Sequence, residues 1–136
     1  MCQVFISADP ESYESRTRSV RLHGVVTSIR LENLHWEVLE EIGARDGMAV
    51  TQLIEKLYDE LVQARGAVGN FASFLRVSAL RYMALQARQR IPADLSVPIR
   101  SLDAGAVLRD LPTSWARPTL SVTLARAGTP GGSSSV

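Results

Sequence analysis

The spacing of hydrophobic and polar positions changes character along the chain, and each change marks an element. From Ser19 to Glu32 the run SVRLHGVVTSIRLE is rich in β-branched residues and nearly alternates, which is the period of a strand with one buried face. In its second half Val25, Thr27, Ile29 and Leu31 share one face, while Val26, Ser28 and Arg30 share the other, because successive strand side chains point to opposite sides. The odd-numbered face is the more apolar and is expected to meet the core, which turns Ser28 and Arg30 outward. His23-Gly24 suits a two-residue turn, so 19–22 and 25–31 can pair as a hairpin.

After Glu32 the period lengthens. Leu34, Trp36, Val38, Leu39 and Ile42 recur at helical spacing over 33–45, with Asn33 as the expected N-cap and Asp46-Gly47 as the stop. Residues 49–65 repeat the pattern with Val50, Leu53, Ile54, Leu57, Leu61 and Val62, and Arg65-Gly66 closes that helix. Gly66 to Gly69 connect it to a third helix, capped by Asn70 and carrying Phe71, Phe74, Leu75, Val77, Ala79, Leu80, Met83 and Ala84 before it fades near Arg88. Residues 1–18 read as an irregular arm with a turn at Asp9-Pro10, and residues 19–90 form the domain. Residues 91–136 are a tail punctuated by Pro92, Pro98, Pro112, Pro118 and Pro130, with one short helical turn around 104–109. From about 127 the low-complexity run AGTPGGSSSV is expected to be disordered.

Composition narrows this outline. A chain of 136 residues suffices for one compact domain with a tail. Hydrophobic content of 46% with only 6% aromatics favours helices built on Leu, Val and Ala over a sheet sandwich. The net charge of +1 carries no message, but its distribution does. Arg16, Arg18, Arg21 and Arg30 lie in the window 16–31, which has no Asp or Glu, whereas 32–60 holds Glu32, Glu37, Glu40, Glu41, Asp46, Glu55, Asp59 and Glu60 against Arg45 and Lys56. A basic extended segment is therefore followed by acidic helices. Lys56 is the only lysine among the fifteen basic residues; the planar fork of Arg suits phosphates and guanine edges, although a GC-rich coding sequence produces the same excess.

Candidate catalytic chemistry is sparse. Cys2 is the only cysteine, which rules out an internal disulfide and fits a reducing cytoplasm. The short apolar run Val4-Phe5-Ile6 is followed at once by Asp9 and Glu11, unlike a signal peptide, and no later stretch is long enough to span a membrane. Two scattered histidines and one cysteine do not make a metal site. Ser73 and Ser78 have no His–Asp partners in any recognisable motif, and Glu37, Glu40 and Glu41 read as a solvated helix face. Trp36 lies on the apolar side of its helix and belongs to the core. No cofactor and no enzymatic activity are expected.

A strand followed by two short helices joined at a Gly-containing turn resembles the ribbon-helix-helix family, seen in the Arc and methionine repressors. The resemblance rests on Thr27-Ser28-Ile29-Arg30-Leu31-Glu32 as ribbon, on the helix from Leu34 to Ile42, and on Gly47-Met48-Ala49-Val50-Thr51-Gln52-Leu53-Ile54 as inter-helix turn and second helix start. It implies a mainly α fold with a short β-ribbon, a two-stranded antiparallel sheet formed between subunits of a homodimer, plus the third helix. Pairing with a second subunit would satisfy a strand that cannot stand alone. The family inserts its ribbon into the major groove of double-stranded DNA and reads base edges. By that resemblance the base-reading positions are Val26, Ser28 and Arg30, with Arg30 placed to clasp guanine and Val26 limited to apolar contact.

The family also seats a backbone phosphate on the N-terminus of the second helix. Here Val50 and Thr51 would hold it, with Ala49 standing where a small hydroxyl residue is usual. Arg16, Arg18 and Arg21 serve either as a phosphate-contacting arm or as internal partners of the acidic helices. Phe71, Phe74, Leu75 and Tyr82 would supply a partner-binding or higher-oligomer surface on the third helix. The expected function is a sequence-specific transcriptional regulator, most simply a repressor. The alternatives are an antitoxin that masks a toxin with residues after 66, and an interaction module without DNA binding.

Overall fold

The computed structural model describes residues 2–116. A short helix α1 (Cys2–Ile6) and a 3₁₀ turn (Pro10–Tyr13) lead into strand β1 (Ser15–Leu22), strand β2 (Val25–Glu32), and helices α2 (Asn33–Arg45), α3 (Val50–Arg65) and α4 (Phe71–Ala87). A 3₁₀ turn at Ile99–Ser101 and two single-turn helices, α5 (Ala104–Val107) and α6 (Thr113–Ala116), follow.

The two strands form an antiparallel hairpin, in register from Leu22 opposite Val25 to Ser15 opposite Glu32. His23 at φ 50° and Gly24 at φ 80° make the turn; two consecutive positive φ values match the right-handed twist of the flanking strands. His23 is held there by a contact of its Nδ1 with an Asp59 carboxylate oxygen at 3.4 Å and an edge-on contact with the Tyr58 ring at 5.1 Å between centroids. The two-stranded ribbon expected between subunits is present within one chain as the expected hairpin, in which β1 pairs with one edge of β2 and leaves its other edge open among the described residues. β1 also begins at Ser15, four residues before the expected start, so the last part of the supposed irregular arm is strand.

Strand alternation decides what the ribbon buries. Val20, Leu22, Ile29 and Leu31 turn onto Trp36 and Leu39 of α2, Val50, Leu53 and Ile54 of α3, and Leu75 and Ala79 of α4. Trp36 is fully buried, and its indole N–H donates to the main-chain oxygen of Arg16 at 2.9 Å, satisfying the one polar atom that this burial would otherwise orphan.

Asn33 is not the N-cap of α2. The strand runs into the helix without a loop, Glu32 occupies the cap position, and no side chain caps there. Asn33 instead ties the preceding segment down: its side-chain amide donates to the Glu11 oxygen at 2.9 Å and its main-chain N–H to the Glu14 oxygen at 2.8 Å. α4 is capped as expected, with the Asn70 side chain accepting from the Ser73 N–H at 3.1 Å.

Residues 91–111 are not a loose tail. Ile91 is buried with Tyr82 and Leu85, and Ile99, Leu102, Val107, Leu108 and Leu111 pack around them. Arg45, only 6% exposed, donates to Tyr82 Oη and to the main-chain oxygens of Pro92, Asp94 and Val97 at 2.9–3.1 Å. Tyr82 in turn donates to Glu41, and burial together with that carboxylate pushes its phenol pKa up. The expected disorder from about 127 lies outside the described residues.

Candidate nucleic-acid interface

The face of the hairpin turned away from the helices is built by the same alternation that fills the core. Ser15, Thr17, Ser19 and Arg21 of β1 and Val26, Ser28 and Arg30 of β2 are all exposed. The register sets Thr17 opposite Arg30, Ser19 opposite Ser28 and Arg21 opposite Val26. The result is a two-stranded surface with an arginine on each strand and short hydroxyl side chains between them. A ribbon of this width fits the major groove of B-DNA, where guanidinium and hydroxyl groups reach base edges.

The sequence-derived base readers Val26, Ser28 and Arg30 all lie on this face. Thr17 and Ser19, which sequence reasoning did not assign, lie directly across from two of them. The alternation of β1 carried that signal. Arg21, expected in the first half of the hairpin and counted with Arg16 and Arg18 as either a phosphate contact or an internal partner, is a strand residue of the same surface, with its guanidinium donating to the Gly24 oxygen at 3.1 Å.

Glu32 closes the α2 end of the ribbon. Its carboxylate accepts from Arg76 Nε at 3.0 Å and contacts His35 Nδ1 at 3.0 Å, while Arg76 also donates to the Arg30 main-chain oxygen at 3.3 Å. Its own main-chain N–H and Arg76 lower the Glu32 pKa from 4.5 to about 2. An ionised carboxylate beside the reading face is thus neutralised by a partner on α4 and repels an incoming polyanion less.

The three arginines of the supposed arm part company. Arg18 points inward, donates to Glu40 at 2.7 Å and lies over the Trp36 ring at 5.1 Å. It takes the internal role that pairing with the acidic helices implied. Arg16 lines a groove with Asp9, Glu11, Glu37 and Glu40, surroundings that weaken its pull on phosphate. Arg21 lines a groove of about 420 Å³ together with Val26, Thr51, Gln52 and Glu55. That groove joins the ribbon to the start of α3 and brings Arg21 and Thr51 to one place.

The α3 N-terminus itself is only half capped. Ala49 offers no acceptor, while Gln52 Oε1 accepts from the Ala49 N–H at 2.9 Å. Val50 is buried, so it can offer only its amide, and Glu55 one turn on opposes an anion.

The proposed partner surface on α4 is not where the apolar spacing put it. Leu75 and Tyr82 are 0% and 4% exposed inside the chain's own core, and Phe71 and Phe74 pack against that core.

A family model described as the ribbon-helix-helix domain matches residues 15–83, from the first residue of β1 to near the end of α4. The chain is a ribbon-helix-helix protein. A solved structure of an uncharacterised protein from Bordetella pertussis Tohama I is similar to it, with 66% identity, a TM-score of 0.85, and coverage of 88% of this chain and 97% of that one. No curated protein matches the chain. Ribbon-helix-helix domains generally dimerise, bind DNA and act in regulation without catalysis. Among the described residues, no helix is long and apolar enough to cross a membrane.

Proposed function

We propose that this ribbon-helix-helix protein is a sequence-specific, cytoplasmic DNA-binding regulator, most simply a repressor, that places its hairpin in the major groove as a homodimer. The observation that carries this is the exposed outer face of the hairpin, where Arg21 and Arg30 stand on separate strands with Thr17, Ser19 and Ser28 between them. Arg30 clasps guanine O6 and N7, and Ser28 and Ser19 accept or donate to neighbouring base edges. Arg21 and Thr51, with the free amides of Val50 and Thr51, hold the flanking phosphate. Because each chain carries a complete ribbon, two chains of a dimer place two ribbons on DNA and read two half-sites.

The test is binding to the protein's own promoter region over a salt series. Arg30→Ala should lose about tenfold or more in affinity for that site while leaving non-specific binding in place, the effect of removing a base contact of about 1–3 kcal/mol. Arg21→Ala should weaken all sequences alike and reduce the salt slope by about one. Absence of salt-dependent binding to every genomic fragment tested would refute the regulator reading.

A further inference from the structure

Strand alternation puts an acid on the same face as the base readers. Val26, Ser28 and Arg30 point outward from β2, and Glu32, opposite the exposed Ser15, has their parity. Glu32 is therefore two residues from Arg30 on one face, about 7 Å along an extended strand. Side chains as long as glutamate and arginine can meet across that gap. A guanidinium paired in this way is withdrawn from guanine, because its donor fork is already taken.

The structure holds the two apart with one side chain of α4. Arg76 Nε donates to the Glu32 carboxylate at 3.0 Å, and Arg76 Nη2 donates to the Arg30 main-chain oxygen at 3.3 Å. His35 Nδ1 contacts the same Glu32 oxygen at 3.0 Å. A single guanidinium thus grips both the backbone of the reader and the acid that competes for its charge.

The helix that carries Arg76 is firmly seated. Asn70 caps it, and Leu75 and Ala79, flanking Arg76 in sequence, are 0% and 1% exposed in the core. A side chain on a packed helix keeps its geometry more closely than one on a loop. Arg76 and Glu32 are 37% and 32% exposed, so their pairing adds only modestly to stability. Its place beside the readers matters more than its strength.

We infer that Arg76 is a positioning residue for the DNA-reading face: it holds Glu32 off Arg30 and fixes the Arg30 backbone, so that the Arg30 guanidinium stays available to guanine. α4 is then part of the reading unit and not only a wall of the core. The inference rests on the regulator reading above and deepens it with a specificity-determining residue that touches no base.

The test compares two DNA probes at one salt concentration: the protein's own promoter region, or whichever genomic fragment the wild type selects, and a coding fragment of equal length. Arg76→Gln and Arg76→Met should each lower the ratio of specific to non-specific affinity by about three- to tenfold, within the loss expected for removing the Arg30 contact itself. Their helical circular dichroism should match the wild type, since Arg76 is partly exposed. Adding Glu32→Gln to either variant should bring the ratio back to within about twofold of wild type, because a neutral amide no longer competes for the guanidinium. With Arg30→Ala already present, Arg76→Gln should lower the ratio no further.

An unchanged ratio in both Arg76 variants would overturn the inference. A fall that Glu32→Gln does not reverse, or an equal fall with and without Arg30, would also overturn it, since Arg76 would then act on DNA directly. Loss of the helical signal in both variants would make Arg76 a structural residue and overturn it as well. A wild-type protein that prefers no genomic fragment removes the regulator reading too, and the wild-type measurement alone tells that case apart.

Discussion

Glu32 joins three elements through one carboxylate. It ends β2, contacts His35 of α2, and pairs with Arg76 of α4, the two side chains of that pair being 32% and 37% exposed. Its pKa is lowered from 4.5 to about 2, so its stabilising contribution is fully present above the unfolded value near 4.5 and disappears as pH falls toward about 2. Glu32→Gln keeps an acceptor and removes the charge. At neutral pH it should lower the unfolding free energy by about 1 kcal/mol, the scale of a half-exposed pair rather than of the whole pKa shift. Urea unfolding followed by circular dichroism should show the wild-type advantage shrinking below about pH 4.5 and vanishing near about pH 2. A constant difference across that range would mean that Glu32 acts through packing and not through its charge.

At the scale of elements, α2 and α3 meet at a glycine. A Cβ on Gly43 would lie 2.8 Å from the Met48 main-chain oxygen and 3.5 Å from Leu53 Cβ. Met48 is pinned, since its N–H donates to the Gly43 oxygen at 2.8 Å. Gly43→Ala gains about 1 kcal/mol of helix propensity, but forcing two backbones apart costs about 1–3 kcal/mol or more. The net effect should be destabilising by about 1 kcal/mol or more, read as a lower urea midpoint with an unchanged slope; a raised midpoint would contradict the close approach.

That glycine was invisible in the sequence, where it looks like an ordinary interruption of a helical period. The elements built on clear periodicity were legible: β2 from its alternation, α2, α3 and α4 from theirs, and the hairpin turn from His23-Gly24. The start of β1 was hidden because Arg16 and Arg18 occupy inward-facing positions where alternation calls for apolar residues. Only the structure shows the Arg18 guanidinium over the Trp36 ring with its charge on Glu40. The same late start left Thr17 in the arm, while Ser19 and Arg21, although inside the expected hairpin, were given no place on its outer face. Helical spacing identified α4 but could not say which of its two apolar sides looks inward, so Leu75 and Tyr82 were assigned to a partner when they belong to the core.

For the whole molecule, the segment after α4 extends the fold beyond the part that the family model covers. The family match ends at residue 83, whereas Arg45 reaches past it to the main chain of Pro92, Asp94 and Val97. Ile91, Ile99, Leu102, Val107, Leu108 and Leu111 build a second apolar cluster against Tyr82 and Leu85. Arg90 ties the far end by donating to the main-chain oxygens of Val107 and Arg109. Prolines and short turns conceal this packing in the sequence, since none of its pieces is long enough to show a period. A chain ending at residue 90 should therefore fold around the ribbon, α2 and α3 but lose about 3 kcal/mol or more. Freed from its three carbonyl acceptors, Arg45 rehydrates, so most of the loss comes from apolar area on the outer side of Tyr82 and Leu85 rather than from the broken hydrogen bonds. Arg45→Met in the full chain separates the two contributions: it removes the clamp and keeps the cluster, so its cost should be the smaller. Urea midpoints of the three proteins, compared at one protein concentration, decide the point. A 1–90 chain as stable as the full one would make the segment an appendage after all.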